Sequence, residues 1–138
     1  MAGYPVEIRT TEGSSDAIDL GTVVVRHHLT DQAAVTAEVL SGAHLLHLAV
    51  AGCLFNDLLR EAARRDLTLT DVRVTADGRF DGPAGESTGI SCAIDVTSDA
   101  AEADVRRLVA DVQEDASIPL TLKRGTTVTL TDLRIAAR

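Results

Sequence analysis

Hydrophobic and polar positions change period several times along the chain, and each change marks an element. Val6 to Thr10 reads as a short strand, and Glu12 to Asp16 as a turn. Ala17 to His28 reads as extended, with the β-branched run Thr22-Val23-Val24-Val25 at its centre. The two segments are spaced to pair as a hairpin. Residues 30–40 are ambiguous: they are rich in alanine, as a helix would be, but Thr36 and Val39 interrupt the pattern.

From about Ser41 to Asp66 the pattern predicts a long helix, with Ser41 as its N-cap. Leu45, Leu46, Leu48, Val50, Cys53, Leu54 and Phe55 leave its first half with almost no polar face, so that half is expected to be covered on all sides. The second half turns amphipathic. Leu58, Leu59, Ala62 and Ala63 lie on one face, while Asp57, Arg60, Glu61, Arg64 and Arg65 lie on the other. Arg64 and Arg65 also suit the negative end of the helix dipole.

Leu67 to Phe80 reads as a strand with a break near Thr70-Asp71, and Asp81 to Gly85 as a turn. Ser87 to Thr97 alternates, with Ile90, Cys92, Ile94 and Val96 on one face. These two strands form a hairpin. Asp99 and Glu102 have capping-box spacing, and Val105, Leu108, Val109 and Val112 give the stripe of a second helix. Pro119 is expected to break the next segment, and Thr126 to Leu133 to form a last strand with Val128 and Leu130 on one face. The order ββ–α–ββ–α–β groups helices and strands, which points to an α+β fold with antiparallel pairing. Residues 1–138 form one domain, and a second subunit would supply the cover that the apolar helix needs.

Composition narrows the function classes. The chain has 21 acidic against 13 basic side chains, a net charge of -8, which disfavours a phosphate backbone as partner. Tyr4, Phe55 and Phe80 are the whole aromatic complement, too few for base stacking. No basic, apolar leader opens the sequence, and the apolar run from Ala43 to Phe55 is shorter than the roughly 20 residues of a membrane span. These features set the expectation of a cytoplasmic protein with reduced thiols, binding neither membrane nor nucleic acid. Phosphate-loop and serine-elbow motifs are missing, so no cofactor is implied.

Cys53 has two readings: a small buried hydrophobe, or a nucleophilic thiolate activated by a neighbouring Arg, His or helix N-terminus. Cys92 reads as a core residue, with a substitute resolving thiol as its sharper alternative. His44 and His47 lie on one helical face. No third ligand shares their spacing, so a metal site is not expected. His47 sits among apolar residues and needs a polar partner; a core histidine bonded to a carbonyl is the simpler reading, and a pocket wall or general base the other. His27 and His28 face opposite ways, one toward the helix and one toward solvent.

The run Leu45 to Phe55 with Cys53 near its end, followed by Leu58 and Leu59, a strand-turn-strand and a second helix, resembles the OsmC/Ohr family of osmotically induced and organic-hydroperoxide-resistance proteins. The resemblance covers nearly the whole chain. It implies an OsmC-like fold, an intertwined homodimer with buried central helices, and thiol peroxidase chemistry. In that chemistry a thiolate attacks the peroxide, a second Cys condenses with the sulfenic acid, and an external dithiol restores the enzyme. By this resemblance Cys53 is the nucleophile, and Arg9 and Arg26 are the available partners for its thiolate. Two family positions differ here: the resolving Cys aligns with Ala116, and the acid before the first Cys aligns with Ala43. The expected function is therefore a weak one-Cys reduction of an organic hydroperoxide, resolved by an external thiol. The alternative is a protein that binds or transforms a small hydrophobic molecule in a dimer-interface pocket lined by His44, His47 and Phe55.

Overall fold

A computed structural model describes residues 3–11, 13 and 17–135. Its order is β1 (Gly21–Arg26), β2 (Gln32–Ala37), α1 (Gly42–Arg64), β3 (Leu69–Asp81), β4 (Glu86–Ser98), α2 (Glu102–Asp115) and α3 (Ser117–Arg124). The class is α+β with antiparallel pairing, as the grouping of elements predicts. Two separate antiparallel ladders, β1–β2 and β3–β4, make up the strand structure among the described residues.

The N-terminal hairpin differs from expectation in its strands. The ambiguous segment 30–40 supplies β2, and Val23 pairs with Val35 across the ladder. Its β-branched Val35 and Thr36 outweigh the alanines that suggested a helix. Val6 to Thr10 has no regular structure, and residues 17–20 precede the strand rather than belong to it. Of the expected turn at Glu12 to Asp16, all but Gly13 lies outside the described residues.

α1 begins where the sequence places it. The Ser41 hydroxyl accepts the His44 N–H at 3.2 Å, satisfying one orphan donor of the first turn. The helix ends in a Schellman motif: the Leu67 N–H reaches the Ala62 carbonyl at 2.9 Å and the Asp66 N–H reaches Ala63. Asp66 takes the left-handed conformation there, at φ 54°. α1 packs against β3, α2 and α3. Val50, Leu54, Leu58, Ala62, Leu108, Val112 and Ala116 form the buried core along its inner side. By length and composition α1 is apolar enough to cross a membrane; here it is the central helix of the packed domain. Within this chain the first half of α1 is only partly covered: Leu45 and Leu48 remain 46% and 37% exposed.

β3 and β4 form the long hairpin read from the alternation, and the ladder is irregular between Leu69 and Asp71, at the expected break. The second helix also forms, with Leu108 and Val112 buried against α1. The capping box does not: Ala101 is the N-cap and makes no side-chain cap bond, while the Ser98 hydroxyl takes the Ala100 N–H instead. Pro119 does not break the segment after α2. It is the third residue of α3, in the first turn, where a missing N–H has no intrahelical acceptor to lose. Thr126 to Leu133 forms no strand, and Val128 and Leu130 are 92% and 77% exposed. No strand among the described residues pairs with this segment. The observed order is therefore ββ–α–ββ–α–α.

Candidate site around Cys53

Cys53 lies midway along α1, half-buried, beside the core but turned toward α3. The Ile118 N–H donates to its Sγ at 3.5 Å. Ile118 is the second residue of α3, so this N–H is one of the donors a helix start leaves without an internal partner. The positive end of the α3 dipole lies with it. A backbone donor and a helix N-terminus at a sulfur form a setting suited to negative charge, and the thiolate is the nucleophilic form of cysteine.

The cations proposed for the thiolate lie elsewhere within this chain. Arg26 pairs with Asp31 at 3.3 Å, with both side chains largely in solvent. Arg9 lies in an exposed segment without regular structure. Among the described residues neither hydrogen-bonds Cys53. Ala43 is in the first turn of α1, about 15 Å along the axis from Cys53 at the α-helical rise. An acid there would act on the sulfur only through a long intermediary such as arginine. Ala116 is fully buried and caps both α2 and α3, two residues before the N–H that meets Cys53. Position 116, where the resemblance leads one to expect the family's second thiol, is therefore close to Cys53 in space.

Cys92 is not the core residue its alternation suggested. It pairs across the ladder with Ala76 but is exposed, although Ile90 and Ile94 on the same face pack against the core. Neighbouring atoms still strip enough water from the sulfur to push its pKa above the ordinary 9.0.

The histidines divide by role. His27 is half-buried and His28 exposed, but they do not face opposite ways as strand neighbours would: both follow the end of β1, and their rings lie 4.7 Å apart. The His27 Nδ1 accepts the N–H groups of Leu29 and Thr30 at 3.1 and 3.3 Å. In the neutral ring Nε2 therefore carries the proton, which it donates to the Asn56 Oδ1 at 2.7 Å. Phe55 meets the same ring edge-on, with centroids 5.2 Å apart. His44 is tied to the cap: its Nδ1 lies 2.6 Å from the Ser41 Oγ. His47 departs from the expectation of a satisfied core histidine. Its Nε2 is buried without a hydrogen-bond partner among the described residues, and its ring lies 6.1 Å from that of Phe80. Among the described residues no three His, Cys, Asp or Glu side chains converge as a metal site would require.

An open cleft of about 370 Å³ lies between α1, α2 and the start of α3, with Ser117 on its wall. Its arginines are occupied: Arg60 by Asp57 at 2.8 Å, Arg64 by Glu61 at 3.4 Å, and Arg65 by Asp111 at 2.7 Å. The Asp111 hydrogen bond holds the Arg65 guanidinium above its ordinary value. The cleft is an ion-paired, solvated surface linking the end of α1 to α2.

Two groups at the site were not singled out from the sequence. The Ile118 N–H is a backbone donor and has no side-chain signature, although a proline at the third position of α3 is a helix-start signal. Asn56 stands one turn after Cys53 on α1, and that spacing was its signal.

The sequence matches the family described as OsmC-like protein over residues 35–131, more than half of the chain. No curated protein gives a significant match. Among solved structures, an OsmC-like protein from Mycoplasma pneumoniae superposes with a TM-score of 0.56 at 14% identity, covering 77% of this chain and 88% of that one. An OsmC-like hydroperoxide resistance protein from Jannaschia sp. CCS1 gives 0.53 at 18% identity, with coverage of 75% and 78%. These likenesses concern the fold. With the family match over α1, the β3–β4 hairpin, α2 and α3, the chain belongs to the OsmC-like protein family.

Proposed function

We propose that this chain is a divergent OsmC-like protein that reduces an organic hydroperoxide slowly, in a one-Cys cycle through Cys53, as a homodimer in a reducing compartment. The observation that carries this reading is the Ile118 N–H at 3.5 Å from the half-buried Cys53 Sγ. The name of the Jannaschia relative, a hydroperoxide resistance protein, supports the same chemistry. The Cys53 thiolate attacks the terminal peroxide oxygen, the O–O bond breaks, and an alkoxide leaves and takes a proton from water. Cys53 becomes a sulfenic acid. One external thiol condenses with it, releasing water and forming a mixed disulfide; a second thiol displaces Cys53 and departs as the oxidised pair.

Slowness follows from what surrounds the sulfur. Arg26 is engaged by Asp31, and alanines stand at positions 43 and 116. Each lost group is expected to cost a factor of about 10², or roughly 2.7 kcal/mol on the barrier. Stopped-flow consumption of an alkyl hydroperoxide with a dithiol reductant tests the reading, with Cys53→Ser as control. Slow turnover abolished by Cys53→Ser is expected. Turnover as fast as that of an intact two-Cys relative would mean that a cation and a resolving thiol are supplied after all.

A second reading rests on the His47 Nε2, buried and unpartnered among the described residues. In it the dimer interface encloses a small apolar molecule, His47 meets that molecule's polar group, and Cys53 only lines the pocket. A Cys53 inert to both hydroperoxide and iodoacetamide would favour this reading, with His44 and His47 the next residues to replace.

A further inference from the structure

We propose that Asn56, held in one orientation by His27, donates a hydrogen bond from its side-chain amide to the oxygen atoms reacting at Cys53. The proposal rests on the peroxidase reading above and assigns a catalytic residue, with a positioning residue behind it, that the family comparison does not supply.

The first support is position on α1. At 3.6 residues per turn Asn56 lies about 60° to one side of Cys53, and Phe55 about 160° to the same side. Side chains three apart on a helix are neighbours, with Cβ atoms about 5 to 6 Å apart. Gly52 lies on this side too, and a Cβ added there would meet nothing within 4 Å. The helix face beside the sulfur is open, so a small molecule can approach it.

The second support is the amide's orientation. His27 contacts Phe55 edge-on and Asn56 through Oδ1, so the Asn56 oxygen is turned toward the Phe55 side. In a planar amide the NH2 group points the other way, which is the side of Cys53. The oxygen and nitrogen are not interchangeable here. Two backbone N–H groups occupy the His27 Nδ1, Nε2 is then the proton carrier, and only the amide oxygen can receive it. The amide has no freedom to flip while this network holds. Its two N–H donors take no acceptor among the described residues, although the oxygen is engaged.

The chemistry needs such a group. As the thiolate attacks, the O–O bond breaks and negative charge grows on the departing alkoxide before water protonates it. A fixed donor at that oxygen lowers the barrier because it is already oriented when the charge appears. The Ile118 N–H serves the sulfur; the Asn56 amide serves the oxygen, from the neighbouring helix face. The substrate class is a hydroperoxide with a free terminal oxygen.

The test compares two reactions of Cys53 in the full-length protein. Oxidation by cumene hydroperoxide passes through a developing oxyanion, whereas alkylation by iodoacetamide does not. Asn56→Leu is expected to slow oxidation ten- to a hundredfold and to leave alkylation within twofold. His27→Leu, which frees the amide, should give a smaller loss, and should add nothing in the Asn56→Leu background. Asn56→Asp keeps the shape and the acceptor for His27 but loses the donors. It should also oxidise at least tenfold more slowly, and it stands in if the leucine variant does not fold. Parent-like oxidation in Asn56→Asp or Asn56→Leu, or an equal fall in both reactions, would overturn the proposal while leaving the peroxidase reading intact. A parent protein whose Cys53 is not oxidised at all would overturn both.

Discussion

His47 and Gly78 are in direct opposition: a Cβ placed on Gly78 would lie 3.0 Å from the His47 Nε2 and 2.5 Å from the Gly89 carbonyl oxygen. The imidazole of α1 reaches the β3–β4 hairpin at a notch that only glycine leaves open. The ladder is irregular just beyond, between Gly78 and Phe80, and Gly89 sits at φ 119°. Gly78→Ala is therefore expected to destabilise the fold by about 1 to 3 kcal/mol, since the nearer obstacle is backbone and cannot rotate away. Urea unfolding monitored by circular dichroism measures this, and an unchanged midpoint would show that the hairpin yields freely.

Asp66 closes α1 in the left-handed conformation, at φ 54°, where a side chain costs energy that glycine avoids. Asp66→Gly is expected to stabilise the domain by about 0.5 to 1 kcal/mol, because the Schellman bonds need the backbone and not the carboxylate. A thermal midpoint that falls would mean that the Asp66 side chain holds a contact of its own.

Desolvation raises the Cys92 pKa, so folding favours the neutral thiol there. The contribution is present below the unfolded chain's thiol pKa and shrinks as pH rises through and above it, because the unfolded state then gains thiolate more readily. In a Cys53→Ser background, the rate of maleimide labelling should reach half its maximum at higher pH in the folded protein than in urea. Coincident profiles would contradict the shift.

Cys53 and Cys92 are not expected to pair. His47 marks the side of α1 that meets the β3–β4 hairpin, and Cys53 is about 120° round the helix from it, facing α3. One equivalent of hydroperoxide should leave the intact mass free of a two-hydrogen loss; a clean loss of both thiols would point to a rewired two-Cys enzyme.

Leu45 and Leu48 on the open side of α1 predict association. The protein should sediment as a dimer at micromolar concentration, and Leu48→Glu should give monomer or insoluble protein, since an unpaired charge at a dry interface costs several kcal/mol. A stable monomer in the parent would remove the second subunit from the proposed function.

The sequence carried most of the fold wherever an element's pattern is satisfied within this chain. Ser41 caps α1, Leu108 and Val112 face it, and the β3–β4 hairpin breaks where Thr70-Asp71 interrupts the alternation. Two of the misread segments hold apolar residues that find no partner among the described residues: Val6 and Ile8 at one end, Val128 and Leu130 at the other, all at least 76% exposed. At the site, Cys53 was legible from its place in an apolar helix. Its two neighbours were not, because one is a main-chain N–H and the other, Asn56, gains meaning only when His27 arrives from a distant turn.

Ala116 ends α2 and begins α3 with no residue to spare, and none of its surface is exposed. A methyl group is what the corner between the helices has room for. Supplying a second thiol by Ala116→Cys is therefore expected to crowd a fully buried position, at a cost of about 1 to 3 kcal/mol before any redox benefit appeared. On this backbone a second thiol at position 116 is costly to accommodate, so the one-Cys cycle proposed for Cys53 depends on a thiol borrowed from outside.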